Sequence, residues 1–307
     1  MDKKVYIETL GCQMNKSDTE RMLGMLENLG YYETKEPMEA DLLIINTCNI
    51  RQLSADKAYS RLGLWGKWKK TIKPNLKIAM CGCVAQQDKE KVKQRAPYVD
   101  LVFGTLNIPE LPKLIKEIEN DNKVVSISKT PINRSQEDTN VKRQAGLNAW
   151  LPIIDGCDYF CTYCVVPYVR GRQRSRMPED IIKEANSIVT QGYREITLLG
   201  QTVDSYGRDI DDPDINLANL LRELNKIEGI YRIRFVTSYP TDITDDLIQA
   251  VKDLDKVCEY FHIPMQSGNT EILKKMRRHY TREEYIDICN KIRANIRPPP
   301  EESRERA

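Results

Sequence analysis

The run AWLPIIDGCDYFCTYCVVPYVRGRQRSR, Ala149 to Arg176, passes from an apolar stretch into three cysteines spaced CxxxCxxC, then into arginines at every second position. The apolar part has the length and composition of a buried strand. Cys157, Cys161 and Cys164 therefore sit on the loop leaving that strand. An odd set of thiols makes no disulfide framework, and a closed structural zinc site takes four ligands. The two histidines of the chain, His262 and His279, stand in no ligand spacing with a cysteine pair. Three thiolates on a short loop can instead hold three irons of a [4Fe–4S] cube and leave the fourth iron open.

Downstream the strand signal recurs. REITLLG, YRIRFVTS and EYFHIPMQ read as further strands, separated by helical stretches beginning near Pro178, Asn216 and Thr244. Pro178, with Glu179 and Asp180, supplies the proline and acidic first turn of a helix start. Asn269 or Thr270 to His279, then Thr281 to Ala294, complete a fourth helical layer. Four βα units over residues 147–297 make part of a (β/α) barrel, and barrel sites gather at the carboxyl ends of the strands. Gly200, Gln201, Ser238, Gln266 and Ser267 lie at those ends, as cofactor or substrate contacts or as turn structure. The closing PPPEESRERA, residues 298–307, is an atypical charged tail that neither continues a helix nor starts a strand.

Upstream, KVYIETL, ADLLIINT, LKIAM and VDLVFG read as buried parallel strands alternating with amphipathic stretches, which implies a doubly wound α/β sheet over residues 1–120. Ser17 and Glu20 stand in capping-box spacing at the opening of the first helix, and Gly30 closes it. Cys12 lies just past the first strand, Cys48 past the second, and Cys81 and Cys83 past the third. In a parallel sheet those ends share one edge, so a second three-cysteine site is expected, with Cys81 or Cys83 as its third member. In an extended segment these two side chains point the same way. Residues 121–146 are polar and read as a linker in which KVVSIS adds a strand.

At 307 residues, with 40% hydrophobic and 30% charged residues, the chain can bury a core in each of two domains. No apolar run approaches the roughly 20 residues of a membrane span, and the start lacks a secretory signal. A cytoplasmic protein is expected, and nine cysteines in that reducing compartment point to metal chemistry. The net charge of +2 announces no nucleic-acid partner. Arg170, Arg172, Arg174 and Arg176 nevertheless form a local set suited to RNA phosphates or a carboxylate, or one exposed strand face. GKWKKTIKPNLK, from Gly66 to Lys77, reads as a solvated face, and Trp65 and Trp68 as a helix packing face rather than a base-stacking pair. Asn15 and Asn46 flank cysteines and are expected to cap or orient those loops. Cys258 and Cys289 read as core residues.

These motifs resemble the radical S-adenosylmethionine (SAM) superfamily and, more narrowly, its methylthiotransferases. GCDYFCTYCVVPYVRGRQRSR is joined in family order by ETLGCQMNKSDTERM, INTCNIR, GCVAQ, LLGQTVDSYG, TSYPTD and HIPMQSGNTEILKKMRRHYTREEY, from Glu8 to about Ile296. GQTVDSYG, CVVPYVRGR and TSYPTD look most like the branch that adds a methylthio group to C2 of N6-isopentenyladenosine next to the tRNA anticodon. The resemblance implies an N-terminal doubly wound domain followed by a partial radical SAM barrel. It implies that Cys157, Cys161 and Cys164 bind the cluster that cleaves SAM, and that Cys12, Cys48 and Cys83 bind an auxiliary [4Fe–4S] cluster, the family's GCxAQ selecting Cys83. Tyr163 would lie near the SAM adenine or shield the cluster, with Gly200, Gln201, Ser238 and Gln266 contacting SAM. Implied partners are tRNA and a flavodoxin- or ferredoxin-like electron donor, for a monomeric enzyme. Relatives that act on N6-threonylcarbamoyladenosine or on a ribosomal-protein aspartate share these motifs. The family continues through two more βα units and a small RNA-binding domain, so the sequence also fits a truncated chain of poor turnover, or an inactive iron–sulfur or RNA-binding fragment.

Overall fold

A computed structural model describes residues 3–49, 52–130 and 141–296. Ile50 and Arg51 of INTCNIR, residues 131–140 of the expected linker and the tail from 298 lie outside them. The chain forms two compact units, Met1–Ala145 with Val165–Gly171, and Gly146–Cys164 with Arg172–Ala307.

The first unit runs β1 (Lys3–Leu10), α1 (Gln13–Glu27), β2 (Tyr31–Glu33), β3 (Leu42–Thr47), α2 (Gln52–Thr71), β4 (Lys77–Gly82), α3 (Cys83–Asp88), α4 (Lys91–Arg95), β5 (Leu101–Phe103), α5 (Leu111–Glu119) and β6 (Val124–Ser126). It also takes in α6 (Val166–Val169). Its six strands are all parallel, in the order β2-β1-β3-β4-β5-β6. The central strand β3, LLIINT, is buried at every position, as a parallel strand covered on both faces must be. Its side chains alternate between two cores. Leu42 and Ile44 pack with Met22, Leu26, Phe103 and Ile115, whereas Leu43 and Ile45 pack with Leu62, Trp65, Ile78 and Met80.

Two local features, the start of α1 and the presence of β2, depart from the sequence reading. Helix α1 starts at Gln13, and Ser17 and Glu20 are buried within it. The true cap is Cys12, whose side chain and that of Asn15 form the reciprocal capping box. Strand β2 is an edge too short to leave a sequence signal. Strand β6 is the strand expected of KVVSIS, and it completes the opposite edge of the sheet.

The second unit comprises β7 (Asn148–Pro152), β8 (Ile154–Asp155), β9 (Arg174–Ser175), α7 (Pro178–Thr190), β10 (Glu195–Leu199), α8 (Leu217–Asn225), β11 (Arg232–Phe235), α9 (Asp245–Asp253), α10 (Thr270–Lys275) and α11 (Arg282–Asn295). Strands β7, β10 and β11 are parallel, in the order β11-β10-β7. The apolar faces of α7, α8 and α9 pack on them through Ile181, Ile188, Leu221, Leu224, Leu247 and Val251. EYFHIPMQ forms no strand. The chain just before it meets β11 at the Ile233–Val257 bridge, and within it the His262 carbonyl accepts from the Ser238 N–H at 3.0 Å, beyond the end of β11. Pro264 offers no N–H, and no strand pairs the far side of the segment among the described residues, so a ladder has nothing to propagate it. Cys258 and Cys289, expected in the core, are half-buried.

Among the described residues no helix is long and apolar enough to cross a membrane. Trp65 is fully buried and meets Tyr6 edge-on at 6.4 Å. Trp65→Ala should therefore cost about 3–5 kcal/mol in denaturant unfolding. A solvent-facing, base-stacking tryptophan would leave stability within about 0.5 kcal/mol.

Candidate functional site

The first unit brings its cysteines together by a buried polar net. Asn15, in the first turn of α1, donates from Nδ2 to Asn46 Oδ1 and to the Thr47 carbonyl, each at 3.1 Å. Asn46 donates back to the Asn15 carbonyl at 2.9 Å and to Thr19 Oγ1 at 3.1 Å. Asn15 Oδ1 accepts from the Cys12 backbone N–H and thiol, both at 3.3 Å. Thr47 Oγ1 donates to the Cys81 carbonyl and accepts from the Val84 N–H. Asn15 thus follows Cys12, Thr47 precedes Cys48, and the Thr47 bonds bracket Cys83. Buried amides without partners would be costly, so this net fixes the loops to one another.

The thiols differ in their electrostatic surroundings. A hydrogen bond from the Cys48 thiol, helped by the Asn15 backbone N–H and Arg170 and opposed by burial, draws the Cys12 pKa down to about 5. Cys83 is held above its usual value by burial, although Arg170 pulls the other way. Arg170 is itself buried and pairs with Asp18 at 2.7 Å. Cys81 and Cys83 do not share an extended segment. Gly82 stands between them at φ +90°, and a Cβ there would lie 2.3 Å from the Thr47 carbonyl oxygen. Cys81 faces the core, with its sulfur 3.9 Å from Met22 Sδ, and complete burial raises its pKa well above normal. Cys83 opens α3 in the electrostatic neighbourhood of Cys12 and Arg170.

In the second unit, β8 and β9 pair antiparallel, Asp155 opposite Arg174, at the base of the three-cysteine loop. Gln201 Oε1 accepts the Gly156 N–H at 2.5 Å, and Thr202 Oγ1 lies 3.5 Å from Cys157 Sγ. The Cys164 N–H donates to the Cys161 carbonyl at 2.9 Å, and the Thr162 N–H to the Met276 carbonyl at 3.2 Å. Tyr159, inside the loop, stacks on Tyr239 at 3.6 Å and 3° and donates to Asp242. Arg278 lies over Tyr239 at 4.0 Å and donates from Nη1 to Cys161 Sγ at 3.4 Å. Among the described residues no three Cys, His, Asp or Glu side chains close on a single metal ion. A cube spreads its thiolates over separate irons, a wider arrangement.

The other expected residues divide. Gln201 anchors the cysteine loop, and Gly200 is hemmed in, with Ile154 Cγ2 2.2 Å from where a Cβ would lie. Ser238 is buried and its hydroxyl donates to Asp204 at 3.3 Å. Gln266 is exposed at φ +64°. Tyr163 is 50% exposed, and burial of the rest lifts its pKa to about 12 against the pull of Arg278. Of the arginines, Arg172 is the most open, 69% exposed beside Asp158, whereas Arg176 pairs with Glu184 at 2.8 Å and Arg174 forms part of β9. Thr47, Thr202, Tyr239 and Arg278 lie inside the motifs INTCNIR, GQTVDSYG, TSYPTD and HIPMQSGNTEILKKMRRHYTREEY, yet the sequence assigned none of them a role of its own. The run MRRHY was the available signal for Arg278, an arginine within an apolar and aromatic context.

Residues 4–104 match the Uncharacterized protein family UPF0004, and residues 151–298 the Radical SAM superfamily. The tRNA-2-methylthio-N(6)-dimethylallyladenosine synthase of Thermoanaerobacter pseudethanolicus is 49% identical over 95% of this chain and 62% of its own length. Synthases of the same name from Clostridium perfringens and Carboxydothermus hydrogenoformans are 46% and 45% identical, each over 96% of this chain and over 66% and 67% of theirs. The chain thus spans about two thirds of the length of these curated relatives. Among solved structures, the radical S-adenosylmethionine methyltransferase TsrM from Kitasatospora setae superposes with a TM-score of 0.63 at 13% identity, covering 95% of this chain and 65% of TsrM. The cobalamin-dependent S-adenosylmethionine radical enzyme OxsB gives 0.63 at 14% identity, over 93% and 47%. At these identities the likeness is one of fold.

Two outcomes follow from the geometry. Gly82→Ala should destabilise the first unit by more than about 1 kcal/mol in denaturant unfolding, because Thr47 must move and the positive φ disfavours a side chain. Burial, with the Asp242 carboxylate nearby and against the Ser238 hydroxyl, lifts Asp204 to about 7. Between pH 4 and 7 the folded chain therefore holds a proton that the unfolded chain has released, and stability falls as pH rises through that window before levelling off. Asp204→Asn should flatten this slope and stabilise the chain above pH 7 by a few kcal/mol (on the order of the shift), measured by denaturant unfolding across pH.

Proposed function

This chain belongs to the methylthiotransferase family of the radical SAM superfamily, and we propose on that footing that it adds a methylthio group to C2 of N6-isopentenyladenosine beside the tRNA anticodon. The observation that carries the reading is the pair of three-cysteine sets at strand ends, each embedded in hydrogen bonds that suit thiolates. In the first unit the Asn15 backbone N–H and Arg170 favour charge on Cys12. In the second the Arg278 guanidinium donates to Cys161. A cation and N–H groups turned on sulfur fit ligands that carry negative charge when loaded.

Cys157, Cys161 and Cys164 would hold the [4Fe–4S] cluster that engages SAM, and Cys12, Cys48 and Cys83 an auxiliary one. When bound, the first cluster supplies the electron that splits SAM and starts radical chemistry. The protein's own residues do the rest by position. Gln201, Thr202 and the Thr162 contact fix the cysteine loop, and Tyr163 offers an aromatic face for the SAM adenine. Gly200 and Ser238, just past β10 and β11, and Gln266, in the strandless segment that follows β11, would line the space around it. Arg172 is placed to meet RNA phosphate, with Arg174 and Arg176 beside it in sequence, whereas Arg170 would have to leave Asp18 to do so. The protein works as a monomer in the cytoplasm, reduced by a flavodoxin- or ferredoxin-like donor.

Anaerobic reconstitution should give about eight irons per chain, four per cube. Cys157→Ala/Cys161→Ala/Cys164→Ala should keep about half, and losing all iron or none would refute the two-site assignment. Cys83→Ser should lose the auxiliary cluster in Mössbauer spectra, while Cys81→Ser should keep it. Mass spectrometry of nucleosides from treated tRNA should show a methylthio group on isopentenyladenosine. Its appearance on threonylcarbamoyladenosine instead would reassign the substrate.

A further inference from the structure

Arg278 is held on three sides. Its guanidinium lies 4.0 Å over the ring of Tyr239 and 5.1 Å from that of Tyr280, and Nε donates to the Tyr280 hydroxyl at 3.2 Å. Its backbone N–H donates to the Leu273 carbonyl at 2.9 Å. Tyr239 and Tyr280 are both buried, and Tyr239 continues the stack onto Tyr159 inside the cysteine loop. So fixed, the guanidinium gives Nη1 to Cys161 Sγ at 3.4 Å. Nη2 is buried and has no acceptor among the described residues. A buried donor of this kind is costly to leave unpaired, and its one neighbouring arm already points to a ligand cysteine.

We propose that Arg278 is a positioning residue of the three-cysteine site, one arm donating to the Cys161 thiolate and the other, unpaired in the protein alone, donating to a sulfur of the iron–sulfur group that those cysteines hold. The inference rests on the reading that Cys157, Cys161 and Cys164 bind such a group. Sulfides and thiolates are the acceptors that loading would bring, and they meet the chemistry of the orphaned donor. Hydrogen bonds and positive charge directed at sulfur favour the more negative, reduced state of a cluster and raise its potential. Arg278 therefore makes the cluster easier to reduce. Its neighbour Arg277 is a cation of equal charge but exposed, with no described bond to a cysteine.

The test uses the full chain carrying Cys12→Ser, Cys48→Ser and Cys83→Ser, so that only the second unit's iron is seen. Redox titration followed by electron paramagnetic resonance is read at fixed applied potential. Arg278→Met should keep the iron and lower the ratio of reduced to oxidised cluster by about tenfold, the weight of one charged hydrogen bond. Arg278→Lys should recover part of the ratio, and Arg277→Met should leave it unchanged. An unaltered ratio in Arg278→Met, or an equal fall in Arg277→Met, overturns the proposal while leaving the cluster assignment standing. If Arg278→Met fails to hold iron, the same ratio in Arg278→Lys decides: equal to the parent overturns the proposal, and a fall supports it. If the parent itself takes up no iron, the cluster reading fails and the proposal fails with it.

Discussion

The reciprocal hydrogen bonds between Asn15 and Asn46 are the constraint on which the first unit's chemistry depends. Both amides are fully buried at the carboxyl edge of the parallel sheet, where water cannot serve them, so each must be satisfied by the other's element. Satisfying Asn15 sets the Cys12 turn against Thr47, and satisfying Thr47 sets the turn of Cys83. The position of three thiols is thus decided by two side-chain amides and a hydroxyl that need never touch a metal. The same crowding explains Gly82. The backbone must pass within contact of Thr47 at a positive φ, and any side chain would push the third turn away.

The second unit reaches a comparable end by different means. Here aromatic rings replace amides. Tyr159, Tyr239 and Arg278 form a column beside the cysteine loop, and Tyr280 closes it through bonds to the Arg278 Nε and to the carbonyls of Pro264 and Met265. Phe160, Thr237, Gln266 and Arg277 all take positive φ without being glycine. Such backbone persists only where surrounding contacts over-determine it, and it gathers where a site is being shaped.

Much of this was legible because buried parallel strands announce themselves as apolar runs, and ligands in such sheets collect at the strand ends. Cys12, Cys48, Cys157, Cys161 and Cys164 could be placed on loops from that rule alone. Cys81 and Cys83 could not be told apart, because the turn that separates them is made by one glycine and its close approach to another strand. The start of α1 was misread because its cap is a cysteine, a residue without a strong capping signature. The arginines from Arg170 to Arg176 look uniform as a pattern, yet one is buried against Asp18, one belongs to a strand, one pairs with Glu184 and one is open. Alternation fixes which face a residue takes, and the charge waiting on that face comes from distant sequence. EYFHIPMQ had the composition of a strand, but pairing is a property of neighbours.

The seven residues Val165–Gly171 belong to the first unit although they follow the last cysteine of the second unit's loop. They bring Arg170 to Asp18, and Val169 to the Thr105 hydroxyl. Asp18 is buried, and a buried carboxylate without its cation is strongly unfavourable. On a ribosome, residues 3–130 emerge well before Arg170 does. The amino-terminal unit therefore cannot reach its final state as soon as its own sheet has been synthesised. It must wait, incompletely closed, until the first strand and the cysteine loop of the next unit have been translated. Order of synthesis and order of completion differ in this chain, and the nascent form that bridges the interval exposes the edge on which its first three cysteine turns are assembled.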